Sequence, residues 1–122
     1  MRKTQLKQTA AGVVGFTVAI AVLMSIFRAF VGGADEANAQ KGSTLFKEKG
    51  CVQCHYTDRT ETKIGPGLKG LFDRAKLPVS GRSVSGENVR KQLKTPFKDM
   101  PSFEERLTQA QTGYLIEYLK SL

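Results

Sequence analysis

Hydrophobic and polar positions divide this chain into two unlike parts. From Ala10 to Phe27 the sequence reads AAGVVGFTVAIAVLMSIF and carries no charge. As a helix rising 1.5 Å per residue, this run would be about 27 Å long, close to the roughly 30 Å hydrocarbon thickness of a bilayer. Arg28 and Ala29-Phe30-Val31 follow. A long basic side chain at that depth can snorkel to the headgroups, so residues 1–31 are predicted to form a single N-terminal transmembrane helix. The next stretch, GGADEANAQ at 32–40, is small and polar and predicts a flexible linker. From Lys41 onward the apolar positions recur only in short helical patterns. Leu45 and Phe46 mark a helix over Lys41–Lys49, closed by Gly50. Leu68, Leu71 and Phe72 suggest one or two helical turns after the Ile64-Gly65-Pro66-Gly67 turn. Ser85 can cap a helix over Glu87–Lys94 with a thin apolar face, Val89 and Leu93, stopped at Thr95-Pro96. Thr108 and Gln111 form a capping-box pattern opening a last helix to about Lys120, with Leu115, Tyr118, Leu119 and Leu122 on one side. Residues 75–86 and 98–107 read as loops, and no alternating strand pattern occurs. The predicted fold class is therefore all-α: a small domain at 41–122, made of short helices and long loops.

Such a domain lacks the apolar residues for a self-sufficient core. Domains of this size usually need a metal, a disulfide or a cofactor as a staple. Charge adds two expectations. Arg2, Lys3 and Lys7 precede the apolar run, and positive-inside bias keeps that end in the cytoplasm. The chain is then expected in a bacterial cytoplasmic membrane as a single-pass protein, its domain on the periplasmic face. A cleaved signal peptide is the alternative, with Ala37-Asn38-Ala39 as cleavage site; the apolar run is longer than the 7–15 residues of a signal core, which favours a retained anchor. Net charge is +8, and of 19 basic residues only Arg2, Lys3, Lys7 and Arg28 lie before Gln40. The domain is thus basic itself, which suits either a lysine-rich soluble surface or a docking surface for an acidic protein partner. No nucleic-acid partner is expected.

The chemistry is concentrated in one place. The chain has two cysteines and one histidine, all within Cys51-Val52-Gln53-Cys54-His55. C-x-x-C-H is the attachment signature of c-type haem. Each thiol adds to one porphyrin vinyl group, the two-residue spacing lets both sulfurs reach one edge of the ring, and the adjacent histidine falls beneath the iron. Competing readings are weaker. A thioredoxin-like C-x-x-C needs a βαβ context. Structural zinc usually needs four ligands, and no second Cys or His pair exists. A disulfide between Cys51 and Cys54 would leave His55 unexplained. One covalently attached haem c is the predicted cofactor, with Cys51 and Cys54 as thioether positions and His55 as an iron ligand.

Of three methionines, Met1 and Met24 lie in the N-terminal segment, leaving Met100 in the domain. Met100 precedes Pro101 in a loop far along the chain from His55. It reads as an ordinary core methionine or, with its loop crossing the opposite haem face, as the second axial ligand. His/Met ligation raises the iron's potential and leaves no open position, which favours electron transfer over catalysis. The function expected is that of a membrane-tethered one-electron carrier, not an enzyme. The alternative, a haem enzyme or gas sensor with a labile sixth ligand, needs an open position that Met100 would close.

With these residues in place, the stretch Lys41–Leu122 resembles a class I cytochrome c. The likeness rests on Gly42 and Phe46, on CVQCH, on IGPGLKG at Ile64–Gly70, on Met100-Pro101, and on LIEYLK at Leu115–Lys120. The resemblance implies that short helices wrap one haem. It implies that the Pro66 carbonyl orients His55 through its ring N–H, and that Gly42 and Phe46 meet Leu115 and Tyr118 where the first and last helices cross. The resemblance does not specify a partner; with the basic charge of the domain, the partners expected are redox proteins with acidic docking surfaces, such as a quinol oxidoreductase, a terminal oxidase or a photosynthetic reaction centre. The chain departs from the family in having no tryptophan, which leaves Arg59, Arg74 or a tyrosine as candidate partners for a haem propionate.

Overall fold

The computed structural model describes the backbone of residues 10–122 and the side chains of residues 20–25 and 33–122. Arg2, Lys3 and Lys7, on which the expected membrane orientation rests, lie outside the described residues. So do most side chains of the expected span Ala10–Phe27. Among the described residues, no helix is long and apolar enough to cross a membrane.

Among the described residues, three helices and two 3-10 turns follow one another: α1 at Ala10–Glu48, turns at Cys51–Gln53 and Leu71–Asp73, α2 at Gly86–Lys94 and α3 at Gln109–Lys120. Among the described residues there is no strand, only an isolated bridge between Lys76 and Ser83. The all-α expectation therefore holds. Two local expectations do not. Residues 32–40 were expected to be a flexible linker, and they are helical within α1. The helix expected to start at Lys41 is correspondingly the end of α1. The reason lies in propensity: Ala34, Glu36, Ala37, Ala39 and Gln40 are strong helix formers, and their summed preference outweighs the polar, small-residue character that suggested a linker. The chain divides into two compact units between Ala34 and Asp35.

In the second unit, α1 ends where the sequence indicates. Gly50 adopts φ 78°, the left-handed conformation that glycine enters without a Cβ penalty. Ser85 caps α2, its hydroxyl accepting from the Asn88 N–H at 3.1 Å. At α3 both halves of the capping box form: Thr108 Oγ1 accepts from the Gln111 N–H, and Gln111 Oε1 accepts from the Thr108 N–H.

The end of α1 and α3 meet at Gly42. A Cβ placed there would overlap the Tyr114 carbonyl and stand 2.7 Å from Tyr118 Cβ. One turn on, the Phe46 ring meets Tyr118 edge to face, with centroids 5.6 Å apart. The implied contact is present at Tyr118, with the Tyr114 backbone as the surface that excludes a side chain at 42. Leu45, Phe46, Leu68, Leu71, Leu77, Val89, Leu115, Ile116 and Leu119 form the core. Leu77, in a segment read as loop, and Ile116 are the members that the sequence pattern missed. Ile116 is buried because α3 packs on two sides: a Cβ on Gly86, at the start of α2, would lie 3.6 Å from Ile116 Cγ2.

Gly42→Ala should force the crossing apart and lower stability by about 1–3 kcal/mol, the usual range for overpacking. Urea unfolding of the haem-loaded protein measures this, and an unchanged midpoint would refute the contact.

Candidate functional site

The Cys51–Gln53 turn begins directly after the left-handed Gly50. Cys54 N–H and His55 N–H both donate to the Cys51 carbonyl, at 3.2 and 3.0 Å. This winds the segment tightly enough that Cys51, Cys54 and His55 all border one cavity. The two thiols are half-buried and not joined in a disulfide. Burial pushes the Cys51 thiol above its ordinary pKa, and Cys54 adds to this, while a backbone hydrogen bond and the Arg106 charge oppose it.

His55 is fixed from the other side. Its Nδ1 lies 2.8 Å from the Pro66 carbonyl oxygen. Since a carbonyl only accepts, Nδ1 carries the proton and Nε2 keeps its lone pair free for a metal. The Pro66 loop is stitched to the Cys54 region: Gly65 N–H donates to the Cys54 carbonyl at 2.9 Å and Leu68 N–H to the Tyr56 carbonyl at 2.8 Å. Gly65 is required by space, because a Cβ there would run into the imidazole, 2.9 Å from Nδ1. Arg74 braces the same loop by donating to the Gly67 carbonyl at 3.0 Å and the Lys69 carbonyl at 2.6 Å.

Met100 borders the same cavity. Its loop is held on the last turn of α2. Phe103 N–H donates to the Leu93 carbonyl at 2.9 Å, and the Ser102 hydroxyl donates to the Lys94 carbonyl at 2.8 Å. Lys94 also pairs with Glu104 at 2.6 Å. These bonds occupy carbonyls that a helix C-terminus leaves without intrahelical partners. Just before Met100, Lys98 takes φ 58°, a left-handed conformation uncommon outside glycine.

The cavity has a volume of about 540 Å³. All the buried apolar residues except Leu45 and Ile116 line it. Cys51, Cys54, His55, Pro66 and Met100, the residues singled out in the sequence, thus come together on one space. A bare metal ion does not suit this donor set: among the described residues, no three His, Cys, Asp or Glu side chains are grouped to hold one. A large, mostly apolar group does. One wall also carries an orphan, the buried Ser80 hydroxyl, which lacks any hydrogen-bond partner in the protein. Arg59 and Arg74, considered for a carboxylate contact, do not border the cavity. Arg59 pairs with Asp58 at 2.7 Å, and Arg74 is spent on backbone carbonyls. Ser80, Gln92 and Arg106 border the cavity instead. Their sequence surroundings distinguish them from no other serine, glutamine or arginine, since only the fold of the intervening loops brings them there.

Comparison with known proteins agrees with this geometry. The cytochrome c family model matches residues 39–122. The chain is 43% identical over 60 residues to a cytochrome c of Cochliobolus lunatus, covering 48% of this chain and 55% of that protein. It is 41% identical over 70 residues to cytochrome c of Arabidopsis thaliana, covering 57% of this chain and 60% of that one. Against cytochrome c oxidase subunit 2 of Bacillus subtilis it is 32% identical over 99 residues, covering 73% of this chain but 28% of that protein. The chain spans about half the length of the curated cytochromes c it matches. It belongs to the cytochrome c family. The cofactor of this family is covalently attached haem c with its iron, and a cavity holding two thiols, an oriented imidazole and a thioether fits it.

Gly65→Ala should displace the imidazole and break the bond to Pro66. In ¹⁵N NMR of the haem-loaded protein, the slowly exchanging Nδ1–H signal of His55 should disappear. Its persistence would show that the ring is oriented by something other than this loop.

Proposed function

We propose that this chain is a one-electron carrier whose haem is held by thioethers at Cys51 and Cys54 and ligated by His55 Nε2 and Met100 Sδ. The observation that carries this reading is the bond between His55 Nδ1 and the Pro66 carbonyl, which leaves Nε2 available on a cavity that Met100 also borders. The haem iron supplies the chemistry by gaining and losing one electron between its ferric and ferrous states. The rest is the work of the chain. Pro66 holds the imidazole in one tautomer and increases its basicity. Met100, a soft neutral donor, would hold the iron together with His55 and would favour its reduced state. The apolar walls limit solvent access and lower the local dielectric, which tunes the potential. Lys49, Lys98 and Arg106 line the cavity against two acids, Glu48 and Asp99, and the exposed Ile64 and Phe97 line it too. With the basic surplus of the whole chain, this lining suits an acidic redox protein, and such charges act mainly on association rate. The likeness to an oxidase subunit supports a terminal oxidase as one partner; a quinol oxidoreductase or a photosynthetic reaction centre fits the same chemistry.

The carrier is membrane-tethered in this reading. Ile20, Val22, Leu23 and Met24 on α1 are exposed, Leu23 by 66%, and a cluster of apolar side chains of that kind calls for a lipid or protein cover. The uncharged run Ala10–Phe27, preceded by Arg2, Lys3 and Lys7, supports an anchor in a bacterial cytoplasmic membrane with the haem unit on the periplasmic face.

Replacing both Cys51 and Cys54 with alanine should abolish haem that co-migrates with the chain on a denaturing gel. Met100→Ala should keep that haem, lower the reduction potential, and let the reduced protein bind carbon monoxide at neutral pH. An unchanged potential and no carbon monoxide binding would remove Met100 from the iron.

Membranes washed in alkaline carbonate should retain the haem protein, and mass spectrometry should find residues preceding Ala39 in the mature chain. A water-soluble form beginning at Gln40 would instead establish cleavage after Ala37-Asn38-Ala39.

A further inference from the structure

The backbone bonds of the Cys51–His55 turn follow a simple scheme. Gln53 N–H donates to the Gly50 carbonyl, and Cys54 N–H and His55 N–H share the Cys51 carbonyl. The Cys54 carbonyl accepts from Ile64 N–H and Gly65 N–H. None of these bonds uses the Val52 carbonyl. The Lys63 ammonium takes it instead, donating to the Val52 oxygen at 2.9 Å. The same ammonium stands 5.4 Å from the centre of the Tyr56 ring, which Arg59 also approaches at 4.8 Å. Backbone geometry brings Lys63 there: its own N–H donates to the Gly65 carbonyl at 3.0 Å, a three-residue turn that lays residue 63 along the attachment turn. An exposed lysine ordinarily keeps its ammonium in water. This one has exchanged part of that water for a carbonyl and an aromatic face.

We infer that Lys63 is a positioning residue: its ammonium clamps the Cys51–His55 turn to the Pro66 loop and fixes a positive charge on the segment between the two haem attachment points. This rests on the proposed one-electron function with haem at Cys51 and Cys54, and is independent of Met100. The clamp has two effects. It ties the middle of the turn to the loop that orients His55, beyond the backbone bonds from Ile64 and Gly65. It also acts on the electron. Reduction lowers the charge of the iron by one, so a cation held near the haem disfavours the oxidised state more than the reduced one. A lysine free in water would exert that field over a wide range of positions; Lys63 exerts it from one.

The test uses the full haem-loaded chain and three variants: Lys63→Met, Lys63→Arg and Lys69→Met. Amide hydrogen exchange of the reduced protein is read at Cys54, His55, Ile64 and Gly65, and a redox titration gives the potential. Lys63→Met keeps the length of the side chain without donor or charge. Its four amides should exchange about fivefold faster, the effect of losing a hydrogen bond of about 1 kcal/mol, and its potential should fall. Lys63→Arg retains charge and donors and should keep most of both properties. Lys69→Met removes an equal charge from the same loop and should leave the four exchange rates in place. The inference is overturned if Lys63→Met keeps the wild-type exchange rates, whatever its potential, if Lys63→Arg behaves like Lys63→Met, or if Lys69→Met reproduces the effects of Lys63→Met. The reading as a one-electron carrier fails separately, if the wild-type chain shows no reversible one-electron titration.

Discussion

A histidine can serve a metal in one orientation only if one ring nitrogen is committed elsewhere. Here the Pro66 carbonyl takes the Nδ1 proton at 2.8 Å, and much of the unit follows from making that bond possible. The imidazole must lie flat against the backbone at 65, which limits that position to glycine. The loop must stay in register with the Cys51–His55 turn, which the bonds from Gly65 and Leu68 to the Cys54 and Tyr56 carbonyls ensure. Arg74, from beyond the next turn, closes the loop's outer side. A change at any of these points acts on the ring nitrogen that faces the cavity.

The Met100 part of the cavity lining is built by a different device. The Met100 loop has few apolar residues and no regular structure, so it cannot order itself. It is ordered by the end of α2, whose free carbonyls serve as a row of acceptors for Ser102 and Phe103. The helix in turn is set by its Ser85 cap and by Val89, buried against the cavity. One wall thus depends on a turn and a proline carbonyl, the other on a helix terminus. The crossing of α1 with α3 at Gly42 closes the unit behind them.

The unit has little core apart from its cavity. Most buried apolar side chains line the 540 Å³ space, and only Leu45 and Ile116 of the buried set do not. A protein of this size cannot leave such a space unfilled without a large loss of burial. Cys51, Cys54, His55 and the apolar lining would hold haem c in this space, where it would complete the core.

Features that depend on short-range chemistry were legible in the sequence. The C-x-x-C-H spacing, the Gly-Pro turn, the Ser85 cap and the Thr108–Gln111 capping box each involve residues within a turn or two of one another, so residue type and spacing determine them. Met100 was legible because composition leaves the domain a single methionine. The error at residues 32–40 was of the same local kind: polarity was weighed above helix propensity. What sequence could not supply is everything set by the meeting of distant segments. Ile116 is buried because α3 is covered on two sides, which a one-stripe reading of its periodicity misses. Arg59 and Arg74 are drawn into local pairing and backbone bracing, while Ser80, Gln92 and Arg106 reach the cavity. A side chain's access to a shared space depends on how loops of irregular backbone close over long separations, and that closure is decided by packing across the whole unit.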